Sequence, residues 1–143
     1  MSKIESLERI SITIDDINKY FEKLKEMNIK KIEDLNDTKF YAASMVIFSI
    51  INKTIDLADE MGAIKNLGFP AEYKEIFTSL KYAKIIDDKM ENKLKELTIL
   101  RNKFAHRYNV IDKEGIFRAI KDLEIVKDFI ERVKQVVKKN EKA

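Results

Sequence analysis

Apolar residues recur at steps of three and four from the start of the chain. Leu7, Ile10, Ile14, Ile17, Phe21 and Leu24 lie on one such stripe, the pattern of a helix with a single buried face. The spacing predicts a first helix over about 2–27. The polar run Glu33-Asp34-Leu35-Asn36-Asp37-Thr38 offers several N-cap side chains. A second helix follows over about 39–61, with Phe40, Ser44, Ile47, Ile51, Ile55 and Ala58 on its inner face. Gly62 and Gly68 fall in the connection after it. Pro70 suits the first turn of a short third helix over about 71–82, where its missing N–H costs nothing. Asp87 and Asp88 cap a fourth helix over about 89–108, near its positive end. Asp112 opens a fifth, with Ile116, Ile120, Leu123, Val126, Ile130, Val133 and Val137 on one stripe. The lysine-rich end, from Lys138 to Ala143, is expected to fray. No repeat, low-complexity tract or linker divides the chain, so residues 1–143 read as one domain. Five helices with short connections make an all-α up-and-down bundle.

Composition narrows the class of protein. The chain has 143 residues, of which 45% are hydrophobic and 37% charged, enough for a core beneath a well-solvated surface. Only 3 Gly and 1 Pro interrupt it, which favours long helices. Cysteine is absent, which excludes disulfides and thiolate metal sites and fits a cytoplasmic setting. The N-terminus has no apolar signal core. The most apolar stretch, Phe40 to Ile51, is shorter than the roughly 20 residues that span a bilayer, and is expected to be buried. A net charge of +3 is compatible with an RNA partner, whose phosphates attract Lys and Arg, without requiring one. No clustered His/Asp/Glu metal set and no Gly-rich phosphate loop is present. The expectation is therefore no metal and no bound cofactor, any ATP site belonging to a partner.

The fourth helix holds an anomaly. At about 100° per residue, Phe104 and Tyr108 fall within about 20° of Leu97, and Leu94 and Leu100 within about 60°. Arg101 sits at about 40°, inside this apolar face. An unpaired guanidinium there is costly, so Arg101 requires a partner or the edge of a cavity. Asn102 and His106, four residues apart, stack on the opposite side. His106 is the only histidine and the natural proton carrier near neutral pH. Arg101 can hold a phosphate and stabilise developing negative charge. Asn102 can orient the imidazole or a substrate oxygen. Together they supply metal-free RNA cleavage: a base takes the 2′-hydroxyl proton, that oxygen attacks the adjacent phosphate, and a cation stabilises the transition state. One histidine does not readily serve as both base and acid, and a two-fold dimer brings a second His106 and Arg101 to one cleft. The ordinary alternatives are a surface histidine, a snorkelling or ion-paired arginine, and a core tyrosine at 108.

Arg101-Asn102-Lys103-Phe104-Ala105-His106 matches the RNxxxH signature of HEPN ribonucleases. With Tyr108 it becomes R-x4-H-x-Y and resembles the HepT-like toxins (DUF86). Asn109-Val110-Ile111-Asp112 and, upstream, Asn52-Lys53-Thr54-Ile55-Asp56-Leu57-Ala58 are similar to that family as well. Many relatives carry Gly-Phe before the Arg-Asn pair, where this chain has Ile99-Leu100. The resemblance implies a HEPN bundle that dimerises with both motifs at a shared cleft. It implies a metal-independent endoribonuclease in which Arg101 and His106 are catalytic and Asn102 supports them. It also implies a type VII toxin-antitoxin pair, the partner being a small MntA-type nucleotidyltransferase antitoxin. Such antitoxins transfer AMP from ATP to the motif tyrosine, here Tyr108, adding bulk and negative charge beside the cleft. Asn52 and Asp56 are candidate cleft-lining residues; Asp56 reads equally as a solvated or ion-paired acid. Helices 1 and 4 are the expected dimer contact. The alternatives are a non-catalytic HEPN binding subunit of a nucleotidyltransferase complex, and an unrelated helical adaptor with an exposed apolar groove.

Overall fold

The computed structural model describes residues 2–68, 70, 72–106 and 111–142, with the side chains of 140–142 left aside. These residues form α1 (Lys3–Glu26), a 3₁₀ turn (Ile32–Asp34), α2 (Asp37–Ile64), α3 (Tyr73–Tyr82), α4 (Asp88–Ala105), α5 (Lys113–Asp122) and α6 (Glu124–Lys142). The all-α bundle follows the periodicity. Each of three helices starts on a side chain that accepts from the third residue beyond it: Asn36 from Lys39 at 2.8 Å, Asp87 from Met90 at 2.8 Å, and Asp112 from Gly115 at 2.8 Å. These bonds satisfy amides that a helix start leaves open.

The layout departs from expectation at five places, the first being Gly62, which lies inside α2 rather than in the connection after it. The fifth helix is broken at Leu123 into α5 and α6, yet its apolar stripe is continuous, with Ile116, Leu123, Val126, Ile130 and Val133 all buried. The break turns the chain without exposing that stripe. Pro70 stands ahead of the third helix rather than inside it, because Glu72 in extended conformation is the N-cap. The fourth helix stops at Ala105 rather than at Tyr108, and His106 leaves helical geometry (φ −101°, ψ 82°). The last helix runs on to Lys142, past the expected fraying point.

α2 is the hub, packing against α1, α3, α4 and α5. Ile47, Ile50, Ile51, Leu57 and Met61 on it are buried. At 28 residues α2 is longer than the apolar run at its heart, and among the described residues it is the one helix long and apolar enough to cross a membrane by length and composition. In the bundle Ala43, Val46, Ile47, Ile50 and Ile51 of that run are buried as expected, whereas Tyr41 and Met45 are exposed. Gly62 brings α2 close to α3: a Cβ there would lie 2.7 Å from Ile76 Cδ1. Farther in, Phe77 of α3 meets Phe129 of α6 edge-on at 6.1 Å, a favoured aromatic geometry.

Two polar contacts reinforce the bundle, one on the hub and one between α3 and α4. The Thr13 hydroxyl of α1 donates to Glu60 Oε1 of α2 at 2.6 Å. Glu91 of α4 is 5% exposed and is held by Lys95 at 2.9 Å and by Lys81 of α3 at 3.5 Å. The hydrogen bond from Lys95 leads in lowering the Glu91 pKa below its ordinary 4.5, overcoming the opposing effect of burial, with Thr78 and Lys81 adding to it. A depressed carboxylate pKa stabilises the fold above the unfolded-state value, and that stability is lost as pH falls through the folded-state value. Glu91→Gln is therefore expected to cost about 1–3 kcal/mol at pH 7 and to flatten the loss of stability below pH about 4.5. Urea denaturation of both proteins from pH 7 to pH 3 measures this.

Candidate active site

The site is built where α2, α3 and the end of α4 converge. Arg101, on the last turn but one of α4, is half-buried, as its place on the apolar face requires. Its partner is Asn52 of α2: Arg101 Nε donates to Asn52 Oδ1 at 2.9 Å. Two aromatic rings flank the guanidinium. The Tyr73 ring centre lies 5.1 Å from Arg101 Cζ, and the Phe48 ring centre 5.8 Å. Phe104 closes the far side by meeting Phe48 edge-on at 6.0 Å. The rings attract the cation through their negative faces and exclude water from one side of it. Nε is thus engaged, and Nη1 is turned toward the exposed Asn102, whose Oδ1 accepts from it at a long 3.4 Å.

His106 follows at the helix end. Its backbone N–H donates to the Asn102 carbonyl at 3.0 Å, and its side chain is exposed. The helical lattice that would stack His106 over Asn102 ends one residue too early, so Asn102 pairs with Arg101 instead. The three motif residues nevertheless remain on one short segment. Gly115 of α5 packs closely on Ile111 and Asp112: a Cβ there would lie 2.8 Å from Ile111 Cγ2 and 3.2 Å from Asp112 Oδ1. Tyr108, the expected modification site, lies outside the described residues.

Of the α2 candidates, Asn52 contacts Arg101 and Asp56 does not. Asp56 is exposed one turn further along, beside two other acids. Burial first, and the Asp56 charge second, raise the Asp59 pKa. Burial also raises Glu60, opposed by the Thr13 hydrogen bond, with Asp56 again raising it. Asp56 therefore belongs to an acidic row on α2 rather than to the arginine cage. Among the described residues no three His, Asp or Glu side chains gather as a metal site.

Phe48 and Tyr73 were not expected at the site. Phe48 carried a faint signal, since it precedes Asn52 by four residues and so shares its face of α2. Tyr73 carried none, because only tertiary packing brings α3 to the end of α4.

The sequence from residue 10 to 133 matches the family model described as "Ribonuclease HepT-like". The chain belongs to the HepT-like family. A candidate RNase of Archaeoglobus fulgidus is 33% identical to it over 100 residues, covering 66% of this chain and 75% of that protein. Three solved structures share the fold of this HepT-like chain. A toxin–antitoxin crystal structure with AMP-PNP matches with a TM-score of 0.81 at 19% identity, over 90% of this chain and 98% of the other. YutE from Bacillus subtilis, a cytosolic protein of unknown function, matches at 0.80 and 18% identity, over 93% and 91% of the two chains. The tri-AMPylated HEPN toxin of Shewanella oneidensis, in complex with its MNT antitoxin, matches at 0.68 and 20% identity, over 94% and 99%. The bundle is the HEPN fold.

The cage makes a measurable statement about stability. Asn52→Ala and Arg101→Ala are expected to be coupled by about 1 kcal/mol in a double-mutant cycle of urea unfolding. The same cycle between Arg101 and Asp56 is expected to give no coupling beyond error.

Proposed function

We propose that this HepT-like chain is the toxin of a toxin–antitoxin pair, a metal-independent endoribonuclease whose active residues are Arg101, His106 and Asn102. The observation that carries the reading is the held guanidinium. Asn52 and two rings hold Arg101, whose Nη1 reaches Asn102 on the segment that also bears His106. A cation preorganised beside a histidine suits cleavage at a phosphodiester.

In the proposed reaction the His106 imidazole takes the proton of a ribose 2′-hydroxyl. The freed oxygen attacks the adjacent phosphorus, the bond to the 5′-oxygen breaks, and a 2′,3′-cyclic phosphate forms. A protonated His106 of a second copy returns a proton to the leaving oxygen. Arg101 neutralises the charge that develops on the non-bridging oxygens, and Asn102 steadies Arg101 and the substrate.

A homodimer follows from that proton inventory. Its supporting surface is on α2, where Tyr41 and Met45 are 69% and 66% exposed. They share a face with Phe48 and Asn52, at helical steps of four, three and four. Exposed apolar patches of this kind mark association sites. A two-fold axis through the α2 face brings two Arg101–His106 segments together, so α2 joins α4 in the proposed contact in place of α1.

The proposed antitoxin is a nucleotidyltransferase of the MNT class, which modifies Tyr108 with AMP. The Shewanella oneidensis toxin, which is tri-AMPylated and in complex with an MNT antitoxin, supports this. An added phosphate two residues beyond His106 would compete with RNA for Arg101.

The test is cleavage of total cellular RNA by purified protein with EDTA present. The unmodified wild type is expected to cleave. His106→Ala is expected to lose about 10²–10⁴-fold, and Arg101→Ala about 10²–10³-fold. Equal cleavage by wild type and His106→Ala would remove His106 from the chemistry and leave the helical binding-subunit reading.

A further inference from the structure

Tyr73 has a second environment. Besides lying against Arg101, it lines a cavity of about 560 Å³ between the end of α2 and the start of α3. The other walls include Asp59, Ala63, Asn66, Gly68 and Glu72. The Tyr73 side chain remains 49% exposed although it is stacked on the guanidinium. Gly68 lies in the left-handed region at φ 83°, with nothing within 4 Å of where a Cβ would stand.

We infer that this cavity is a nucleobase subsite, which receives a base flanking the phosphate held by Arg101 and stacks it on Tyr73. This inference rests on the ribonuclease reading above and adds to it a subsite that selects the base. Three observations bear on it. Tyr73 is common to the arginine cage and the cavity wall, so one nucleotide can reach both. An aromatic ring offers a sequence-tolerant platform to any base. The polar groups on the walls, the carboxylates of Asp59 and Glu72 and the Asn66 amide, are mostly acceptors. They favour a base with an exocyclic amine, adenine above all given the size of the space. A uracil, whose carbonyls would face the carboxylates, is disfavoured.

The measurement uses DNA oligonucleotides with a single ribonucleotide, which leaves one cleavable phosphate, and varies the base on either side of it. The wild type is expected to cleave the adenine-flanked substrate about 10-fold better than the uracil- or thymine-flanked one. Tyr73→Ala is expected to raise KM about 10-fold, the scale of one lost stack, and to erase the preference, whereas Tyr73→Phe keeps both. Ala63→Trp fills the cavity without touching Arg101. It is expected to erase the preference with the loss falling on KM, which separates the subsite from any looser hold on Arg101. Circular dichroism and urea midpoints establish that each variant is folded. A wild type indifferent to the flanking base, or an Ala63→Trp protein with unchanged KM and preference, overturns the subsite. A second assay is independent of cleavage: fluorescence anisotropy of all-DNA oligonucleotides on the His106→Ala protein. Base-dependent binding that Tyr73→Ala abolishes, with no cleavage by the wild type, keeps the subsite and overturns the ribonuclease reading. Equal binding of every base, with or without Tyr73, overturns the subsite whether or not RNA is cut. AMP is expected to displace the oligonucleotide and UMP to do so far less well, which places free or attached adenylate among the ligands of the same chemistry.

Discussion

A guanidinium cannot be left among leucines without an acceptor, and the hydrogen bond from Arg101 to Asn52 meets that constraint across 49 residues of sequence. It ties the C-terminal end of α4 to the middle of α2, the helix against which α1, α3 and α5 also pack. Phe48 and Tyr73 can flank the cation because α2 and α3 are already in place. Gly62 allows that approach, since a side chain there would collide with Ile76. The same bond that satisfies a buried donor aims the remaining donors outward. The fold thus holds the cation in one orientation, with Nη1 on the exposed Asn102, and under the proposed function stability and chemistry draw on that one contact.

Much of this was legible in the residues. The stripes of α1, α2 and α4 gave the bundle, and the cap residues Asn36, Asp87 and Asp112 marked where three helices begin. Arg101 stood out because its wheel position conflicted with its charge, and the demand for a partner was met. What could not be read depended on the third dimension. The break at Leu123 lies in a stretch without Gly or Pro, and the apolar stripe carries through it, so periodicity alone sees one helix. The end of α4 at Ala105 has no Gly or Pro to mark it either, and His106 already leaves helical geometry. Tyr73 reaches Arg101 only through the packing of α3.

Charge distribution is consistent with a site that handles polyanions locally rather than over a broad surface. The net charge is small, and α2 carries an acidic row, Asp56, Asp59 and Glu60, beyond Asn52. Such a row repels a phosphate backbone and limits where RNA can lie. Under the proposed function Arg101 attracts the phosphate, while the wall near Asp59 suits the edge of a base better than a phosphate. On that reading, selectivity comes from which nucleotide can reach the cation, not from general affinity for nucleic acid.

The central claim is that two copies of the Arg101–His106 segment form one cleft. Mixing subunits tests it directly. Wild type and His106→Ala are unfolded together in equal amounts, refolded, and assayed on RNA at fixed total protein. If every productive cleft needs His106 from both copies, only wild-type homodimers cleave, and activity falls to about one quarter of that of the unmixed wild type. Activity at one half, the value for copies that work alone, would contradict the account.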